Sequence, residues 1–139
     1  MRVFLASLAG LEAELSRRRG RRFLVHHLAT WCDACLEELP LLLALHAEVP
    51  NPDFLGVSWE LFMGWEGPEE ACQRTRALGL PFPVAVYTGP PEELFQALGI
   101  ESGTIPHTVI YAEDGRVVVR LDRPLEEPDL ELLRAALQG

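Results

Sequence analysis

The chain has 139 residues and a net charge of −9, is 48% apolar and 24% charged, and carries arginine at every basic position apart from its histidines. This length suits a single domain over residues 1–139, which can bury about two-thirds of the surface of its unfolded chain. The acidic balance argues against a nucleic-acid-binding protein. No stretch reaches the roughly 18 apolar residues of a membrane span. Three cysteines are too few for a disulfide-stapled scaffold.

The first third of the chain predicts a helix, a buried strand and a second helix. Leucines recur at helical spacing, so residues 3–18 are predicted to form an amphipathic helix. A secretion signal is the less favoured alternative, because a small-residue cleavage site is missing. The arginines of residues 17–22 are expected at the solvated end of this helix, with contact to an anionic partner as the alternative. Residues 22–29 predict a buried strand, and residues 36–49 predict a helix of about three to four turns that Pro40 bends.

The remainder of the chain alternates between strands and helices. The predicted strands cover residues 54–59, 82–87, 107–111 and 116–121, the last two joined by a hairpin turn. The predicted helices cover residues 68–78, 91–98 and 128–137, and residues 60–67 are predicted as a loop. Pro81 and Pro83 place the start of the strand at 82–87 in a loop or at a sheet edge. This order predicts an α/β fold with a mixed central β-sheet, parallel in its first part and flanked by helices on both faces.

Two cysteines with two residues between them, Cys32 and Cys35, lie where the first buried strand ends and the long helix begins. The first turn of a helix has amide groups without intrahelical partners and a partial positive charge of about half a unit. A thiolate is stabilised there, and the thiolate is the form that attacks disulfides. The pair is therefore a candidate redox site, with Cys32 as the nucleophile and Cys35 as the less exposed resolving thiol.

Other functions for the same two sulfurs are weaker. A structural zinc site normally needs four protein ligands, and the sequence has no second CxxC and no HxxxH. A Cu(I)-binding metallochaperone would hold its ion between the two thiolates, but Met1 and Met63 are the only methionines. A thiol peroxidase is a further option. The pattern favours redox chemistry without a metal or cofactor, and Cys72, on a predicted helix outside the motif, is expected to be an ordinary half-buried thiol.

Four motifs, the cysteine motif and three others, carry a resemblance to a known superfamily. They are Trp31-Cys32-Asp33-Ala34-Cys35, then Glu37-Glu38-Leu39-Pro40, then Gly103-Thr104-Ile105-Pro106 before a strand, and Asp114-Gly115-Arg116-Val117-Val118. On these motifs the chain, over about residues 10–139, resembles the thioredoxin superfamily, and within it the TlpA/ResA-type thioredoxin-like reductases. The pair Asp33-Ala34 departs from the Gly-Pro that the family often has. His26 stands where many thioredoxins bury an acid.

The resemblance implies a thiol–disulfide oxidoreductase that reduces or exchanges disulfides in partner proteins through a mixed disulfide. It also implies that Pro106 is cis and faces the cysteine pair. Trp31 would pack over the pair, and the backbone of Ile105 would pair with an extended segment of the partner. His107, directly after the proline, is a candidate for lining the same groove.

Two residues are candidates for taking and returning the Cys35 proton. Glu60 follows a predicted strand, close to where the resemblance places an acid near the resolving cysteine, and a solvated loop glutamate is the alternative. His26 is the competing carrier, because the unperturbed pKa of histidine lies near neutrality. Its alternative is a hydrogen-bonded core histidine.

The expected partners are protein disulfides or dithiols and an upstream reductant, and the chain is expected to be a monomer. The lack of a clear export signal favours the cytoplasm. The TlpA-type resemblance favours the cell envelope or periplasm instead, if an export signal or anchor was removed.

Overall fold

Six strands form one mixed β-sheet with helices packed on both faces. The structure is a computed structural model, and it describes residues 2–64 and 66–139. The strands are β1 (Val3–Ala6), β2 (Phe23–Leu28), β3 (Phe54–Ser58), β4 (Val84–Tyr87), β5 (His107–Tyr111) and β6 (Val117–Leu121). The helices are α1 (Leu8–Arg17), α2 (Asp33–Glu37), α3 (Leu39–Glu48), α4 (Pro68–Ala77), α5 (Pro91–Leu98) and α6 (Asp129–Gln138), with a 3-10 turn over Glu60–Met63.

The strand order in the sheet is β1-β4-β3-β2-β5-β6. The first four of these run parallel to one another, while β5 is antiparallel to both β2 and β6. The predicted mixed sheet, parallel in its first part, is therefore confirmed. Strand β2 lies at the centre, and the residues that follow it emerge from the middle of the sheet.

Side chains alternate between the two faces along β2, so each face has its own apolar core. On one face, Leu24 and Leu28 pack with Cys35 and with residues of α3 and α6. On the other face, Val25 packs with residues of α1 and α5 and with the aromatic ring of Trp59. Because the cysteine motif follows β2 directly, it lies between these two cores at one end of the sheet.

The predicted helix over residues 3–18 is wrong at its start. Val3–Ala6 form strand β1, which pairs in parallel with β4 at the edge of the sheet, with Val3 opposite Val84. Helix α1 begins only at Leu8, because the Ser7 hydroxyl accepts the backbone N–H of Gly10 and caps the helix. Leucine spacing alone does not reveal that residues 3–6 pair with a distant strand, and this pairing is what makes them a strand.

The predicted helix over residues 36–49 is divided into α2 and α3. The break is at Glu38, and Pro40 occupies the first turn of α3, where the missing proline N–H costs no intrahelical hydrogen bond. A proline inside a continuous helix would have removed such a bond. The predicted loop over 60–67 likewise begins with the 3-10 turn Glu60–Met63. Strand β4 begins after both Pro81 and Pro83, as their missing donors require.

The arginines after α1 lie next to acidic side chains, and of these Arg18 is buried whereas Arg21 is exposed. Arg18 contacts both Glu14 and Asp53, and Arg21 contacts Asp53 at 2.5 Å. Arg21 fits the expected solvated helix end, whereas the buried Arg18 does not. Within the described residues, no helix combines the length and the apolar character that crossing a membrane requires.

Candidate active site

Cys32 stands at the N-cap of α2, where β2 has ended and the first helical turn begins. Its sulfur accepts the backbone N–H of Cys35 at a distance of 3.2 Å. The Cys32 side chain is half-buried, whereas Cys35 is fully buried, and neither sulfur is in a disulfide. This geometry offers the helix N-terminus to a Cys32 thiolate, as the sequence predicts.

Cys35 is held in its protonated form. Burial raises the pKa of the Cys35 thiol far above its usual range, and the hydrogen bond with Cys32 and the charge of the Glu38 carboxylate act in the same direction. A thiol in this environment does not attack spontaneously. It becomes a nucleophile only when a nearby group accepts its proton.

The Ile105–Pro106 peptide bond is cis, as predicted. The Cys32 sulfur lies 3.8 Å from the carbonyl oxygen of Ile105. Pro106 is buried and Ile105 is half-buried, so the backbone before the proline borders the more exposed of the two sulfurs. The structure thus brings together two segments that are far apart in the sequence.

An apolar pocket of about 340 Å³ opens next to the Cys32 sulfur. Its lining comes from the cysteine turn, the 3-10 turn and the segment before the proline, through Trp31, Cys32, Trp59, Phe62, Gly103, Thr104 and Ile105. The rings of Trp59 and Phe62 stack with centroids 5.0 Å apart. Trp31 therefore forms one wall of this pocket beside Cys32, and Trp59 and Phe62, which the sequence reasoning did not select, form another.

A buried pair of ionisable groups lies on the Cys35 side of the sheet. His26 is fully buried, and its Nε2 lies 2.8 Å from Oε1 of Glu38, which is 3% exposed. The two groups are at ion-pair distance, although they are not aligned for a straight hydrogen bond. Nδ1 of His26 lies 2.8 Å from the Thr108 hydroxyl, and Oε2 of Glu38 accepts the backbone N–H of Leu125 at 2.5 Å.

Sequence reasoning selected His26 but missed Glu38. A signal was present, because Glu38 follows Cys35 by three residues and residues three apart share one face of a helix. From the sequence, either of two adjacent acids, Glu37 or Glu38, could be the one that lies near Cys35. The structure exposes Glu37 and buries Glu38.

Glu60 is buried but faces a different neighbour from the one expected. Its two carboxylate oxygens accept the backbone N–H of Thr30 at 2.8 Å and the Thr30 hydroxyl at 2.5 Å. Among the described residues, the acid whose charge acts on Cys35 is Glu38. The expected position of Glu60 after the third strand is correct, whereas its carboxylate is directed at the turn before Cys32.

His107 was a candidate for the partner groove, but its ring is buried on the opposite face of the sheet from His26. Arg120 donates to Nε2 of His107 at 2.9 Å, and Trp59 donates to Nδ1 of His27 at 3.0 Å. Arginine and tryptophan nitrogens can only donate, so both imidazoles accept and both are neutral. Burial lowers the pKa of His27 well below its usual value, and burial together with Arg120 lowers the pKa of His107 to about 4.

Because His27 and His107 are buried and neutral, we expect the free energy of unfolding to decrease in mild acid. The unfolded chain takes up a proton on each histidine near pH 6.5, whereas the folded chain resists protonation of His107 down to about pH 4. Stability is therefore fully present above pH 6.5 and falls as the pH decreases from there, by about 2 kcal/mol per histidine between pH 6.5 and 5. Urea unfolding at these two pH values measures the loss. A His107→Gln variant should show a shallower decrease, and an equal decrease would contradict the assignment.

Residues 2–64 and 66–139 contain no group of three or more histidine, cysteine, aspartate or glutamate side chains arranged to hold a metal ion. Cys72 is buried on α4 among Ala71 and Val86, away from the cysteine motif. Burial raises the pKa of its thiol. The sequence predicted a half-buried thiol here, whereas the side chain is buried, at 6% exposed.

Comparison with solved structures identifies the same architecture elsewhere. A secreted thiol-disulfide isomerase from Corynebacterium glutamicum is similar with a TM-score of 0.69 and 20% identity, covering 90% of this chain and 75% of its own. StoA from Bacillus subtilis is similar with a TM-score of 0.64 and 22% identity, covering 85% and 83%. The exposed lipoprotein thioredoxin of Streptococcus pneumoniae is similar with a TM-score of 0.65 and 19% identity, covering 90% of each chain.

No protein-family model and no curated protein sequence matches the chain. The comparison therefore rests on the solved structures. At sequence identities of 19%, 20% and 22%, their similarity shows which fold the chain has. The strand order, the Cys32–Cys35 pair at the start of α2 and the cis Ile105–Pro106 bond are consistent with that result. The chain has the thioredoxin-like fold.

Proposed function

We propose that the chain is a thiol–disulfide oxidoreductase of the TlpA/ResA type, which reduces or exchanges disulfides in partner proteins. One observation carries the proposal. The half-buried Cys32 sulfur lies at a helix start, 3.2 Å from the Cys35 amide nitrogen and 3.8 Å from the Ile105 carbonyl oxygen, with the Cys35 thiol buried behind it. This arrangement offers one sulfur to a partner and keeps the second in reserve.

The reaction proceeds in two exchanges. The Cys32 thiolate attacks one sulfur of the partner disulfide, which forms a mixed disulfide and releases the other partner sulfur as a thiolate that takes up a proton. Cys35 then loses its proton and attacks the Cys32 sulfur, which releases the partner's second thiol. The partner disulfide is reduced to two thiols, and Cys32 and Cys35 are oxidised to a disulfide. An external dithiol reductant restores the pair.

The second exchange needs a proton acceptor, because burial keeps Cys35 protonated. In this proposal Glu38 takes that proton, and His26 holds the carboxylate in place from 2.8 Å. The burial of Cys35, Glu38 and His26 supports this role, because bulk water does not reach the Cys35 thiol to take the proton instead. His26 thus serves the predicted proton chemistry through Glu38.

Protein disulfides are the proposed substrates, because a backbone segment and an apolar pocket border Cys32 on the same side. The Cu(I) alternative would depend on the two thiolates alone, since the described residues offer no third ligand. A location outside the cytoplasm is supported by the similarity to a protein described as secreted and another described as an exposed lipoprotein. The reduction potential of the Cys32–Cys35 pair tests the compartment, because cytosolic and envelope poises differ by tens of millivolts or more.

Trapping with a Cys35→Ser variant tests the function. Without the resolving thiol, the mixed disulfide on Cys32 cannot be released, so we expect a covalent adduct with a model disulfide protein that dithiothreitol reverses. Mass spectrometry after proteolysis should locate the adduct on Cys32. The matched control adds Cys72→Ser to the same variant, which should leave adduct formation unchanged. An adduct on Cys72 instead, or none at all, would refute the proposal.

A further inference from the structure

The residues before Cys32 form a tight turn. Its two central residues, Thr30 and Trp31, are held by the side chain and the backbone of Glu60. Cys32 donates its backbone N–H to the Ala29 carbonyl at 3.3 Å, which closes a turn with Thr30 and Trp31 at its centre. Both hydrogen-bond donors of Thr30, the backbone N–H and the hydroxyl, donate to the carboxylate of Glu60. The indole N–H of Trp31 donates to the backbone carbonyl of Glu60 at 3.3 Å.

Glu60 is itself fixed in place. Its backbone N–H donates to the Ser58 hydroxyl at 3.1 Å, and the preceding residue, Trp59, donates its backbone N–H to the Leu28 carbonyl at 2.9 Å. Glu60 therefore projects from the ends of two paired central strands, β2 and β3. Glu60 is 1% exposed, and within the described part of the chain no cation lies at ion-pair distance from its carboxylate.

A buried carboxylate without a cation is costly unless strong hydrogen bonds stabilise it. Hydrogen bonds to an ionised acceptor are shorter and stronger than those between neutral groups, and Thr30 supplies two of them. A neutral side chain could close an ordinary turn at lower cost. The use of a carboxylate here indicates that the position of the turn must be held firmly.

We infer that Glu60 is a positioning residue, which by binding Thr30 holds Trp31 in the pocket lining and the Cys32 sulfur next to the Ile105 carbonyl. The inference rests on the proposed function, since it concerns the attack of Cys32 on a partner disulfide. It assigns Glu60 a different role from that of proton carrier, because both carboxylate oxygens are occupied by Thr30. A loosened turn would misplace the sulfur and the Trp31 wall for a protein substrate while the intrinsic chemistry of the thiolate remains the same.

The experiment compares Glu60→Ala, Thr30→Val and the double variant in the dithiol-driven reduction of a protein disulfide. We expect kcat/KM to fall about tenfold in Glu60→Ala and less in Thr30→Val, because valine removes the hydroxyl but keeps the backbone N–H. The double variant should match Glu60→Ala, since Glu60→Ala already removes both hydrogen bonds with Thr30, including the one that Thr30→Val removes. Thr30→Ser, which keeps the hydroxyl, should retain the wild-type rate. Glu66→Gln is the control, since it replaces a half-buried carboxylate that pairs with Arg74, and it should have no effect.

Two further measurements separate positioning from other roles. The pH dependence of Cys32 alkylation by iodoacetamide should be the same in the wild type and in Glu60→Ala, because a small reagent needs no positioned wall. Hydrogen exchange of the Thr30 amide should be at least about tenfold faster in Glu60→Ala than in the wild type, whatever the activity. The Thr30→Val and Thr30→Ser pair keeps the test decisive if Glu60→Ala fails to fold.

Several outcomes would overturn the inference. These are multiplied losses in the double variant, equal rates for Thr30→Val and Thr30→Ser, a shifted pH profile of alkylation, or an unchanged exchange rate of the Thr30 amide. An inactive wild-type protein that still shows the faster Thr30 exchange in Glu60→Ala would refute the proposed function but leave the hydrogen bond from Thr30 to Glu60 established. The two failures are thus distinguishable.

Discussion

Replacing Cys32 with serine is expected to reduce the dithiol-driven reduction of a protein disulfide to the uncatalysed rate. A serine hydroxyl does not ionise near neutral pH, so no thiolate is available for attack at the start of α2. The buried Cys35 cannot substitute, because burial keeps it protonated. The measurement is the turbidity or fluorescence change of a model disulfide protein in the presence of dithiothreitol.

The same substitution should leave the protein folded, which separates catalysis from stability. Cys32 is the N-cap of α2 and accepts the Cys35 amide through its side chain. Serine is a preferred N-cap residue and can accept the same hydrogen bond. We therefore expect an unfolding midpoint in urea at or above that of the wild type. Cys72→Ser is the matched control and should keep wild-type activity, and a fully active Cys32→Ser variant would disprove the mechanism.

Replacing Glu38 with alanine is expected to lower the free energy of unfolding by about 3–5 kcal/mol, the usual cost of breaking a buried pair. The carboxylate lies at ion-pair distance from His26 and accepts the Leu125 backbone N–H, so its removal leaves both groups buried without this partner. Urea unfolding measures the change. Glu37→Ala is the matched control, because that neighbouring acid is exposed and should change the value by less than about 0.5 kcal/mol.

A Glu38→Gln variant distinguishes the proton chemistry from the packing. The amide keeps the size of the side chain and an oxygen that can accept the Leu125 N–H, but it cannot take up a proton from Cys35. We expect formation of the mixed disulfide at the wild-type rate and its release slowed by at least about tenfold. Stopped-flow measurement of partner release separates the two steps. Release at the wild-type rate would eliminate Glu38 as the proton acceptor.

Much of the candidate site follows from local patterns. The apolar run of β2 followed by Cys32 and Cys35 predicts a strand, a turn and a helix start, because each depends on neighbours within a few residues. The predicted cis form of Pro106 came from the resemblance, and its proximity to Cys32 is confirmed by the contact of Cys32 with the Ile105 carbonyl.

Strand β1 shows where local patterns fail. Val3–Ala6 read as the start of a leucine-spaced helix, yet their backbone groups pair with β4, far along the chain. Four residues contain too few side chains for alternation to identify a strand. The partner strand supplies the hydrogen bonds that make an extended conformation favourable.

The acidic residues show most clearly which features the sequence predicts and which depend on the tertiary structure. Composition and spacing were enough to predict the α/β class and to suggest Cys32 and Cys35 as a redox pair, since these depend on residue type and on contacts between near neighbours. They could not show that Glu37 faces solvent, that Glu38 pairs with His26, or that Glu60 binds Thr30. A carboxylate is tolerated in the interior only where donors from distant segments meet it, as Leu125 meets Glu38. Such contacts form only when the whole sheet and its helices pack. The proposed proton acceptor and the proposed support of the cysteine turn could therefore be identified only from the tertiary structure.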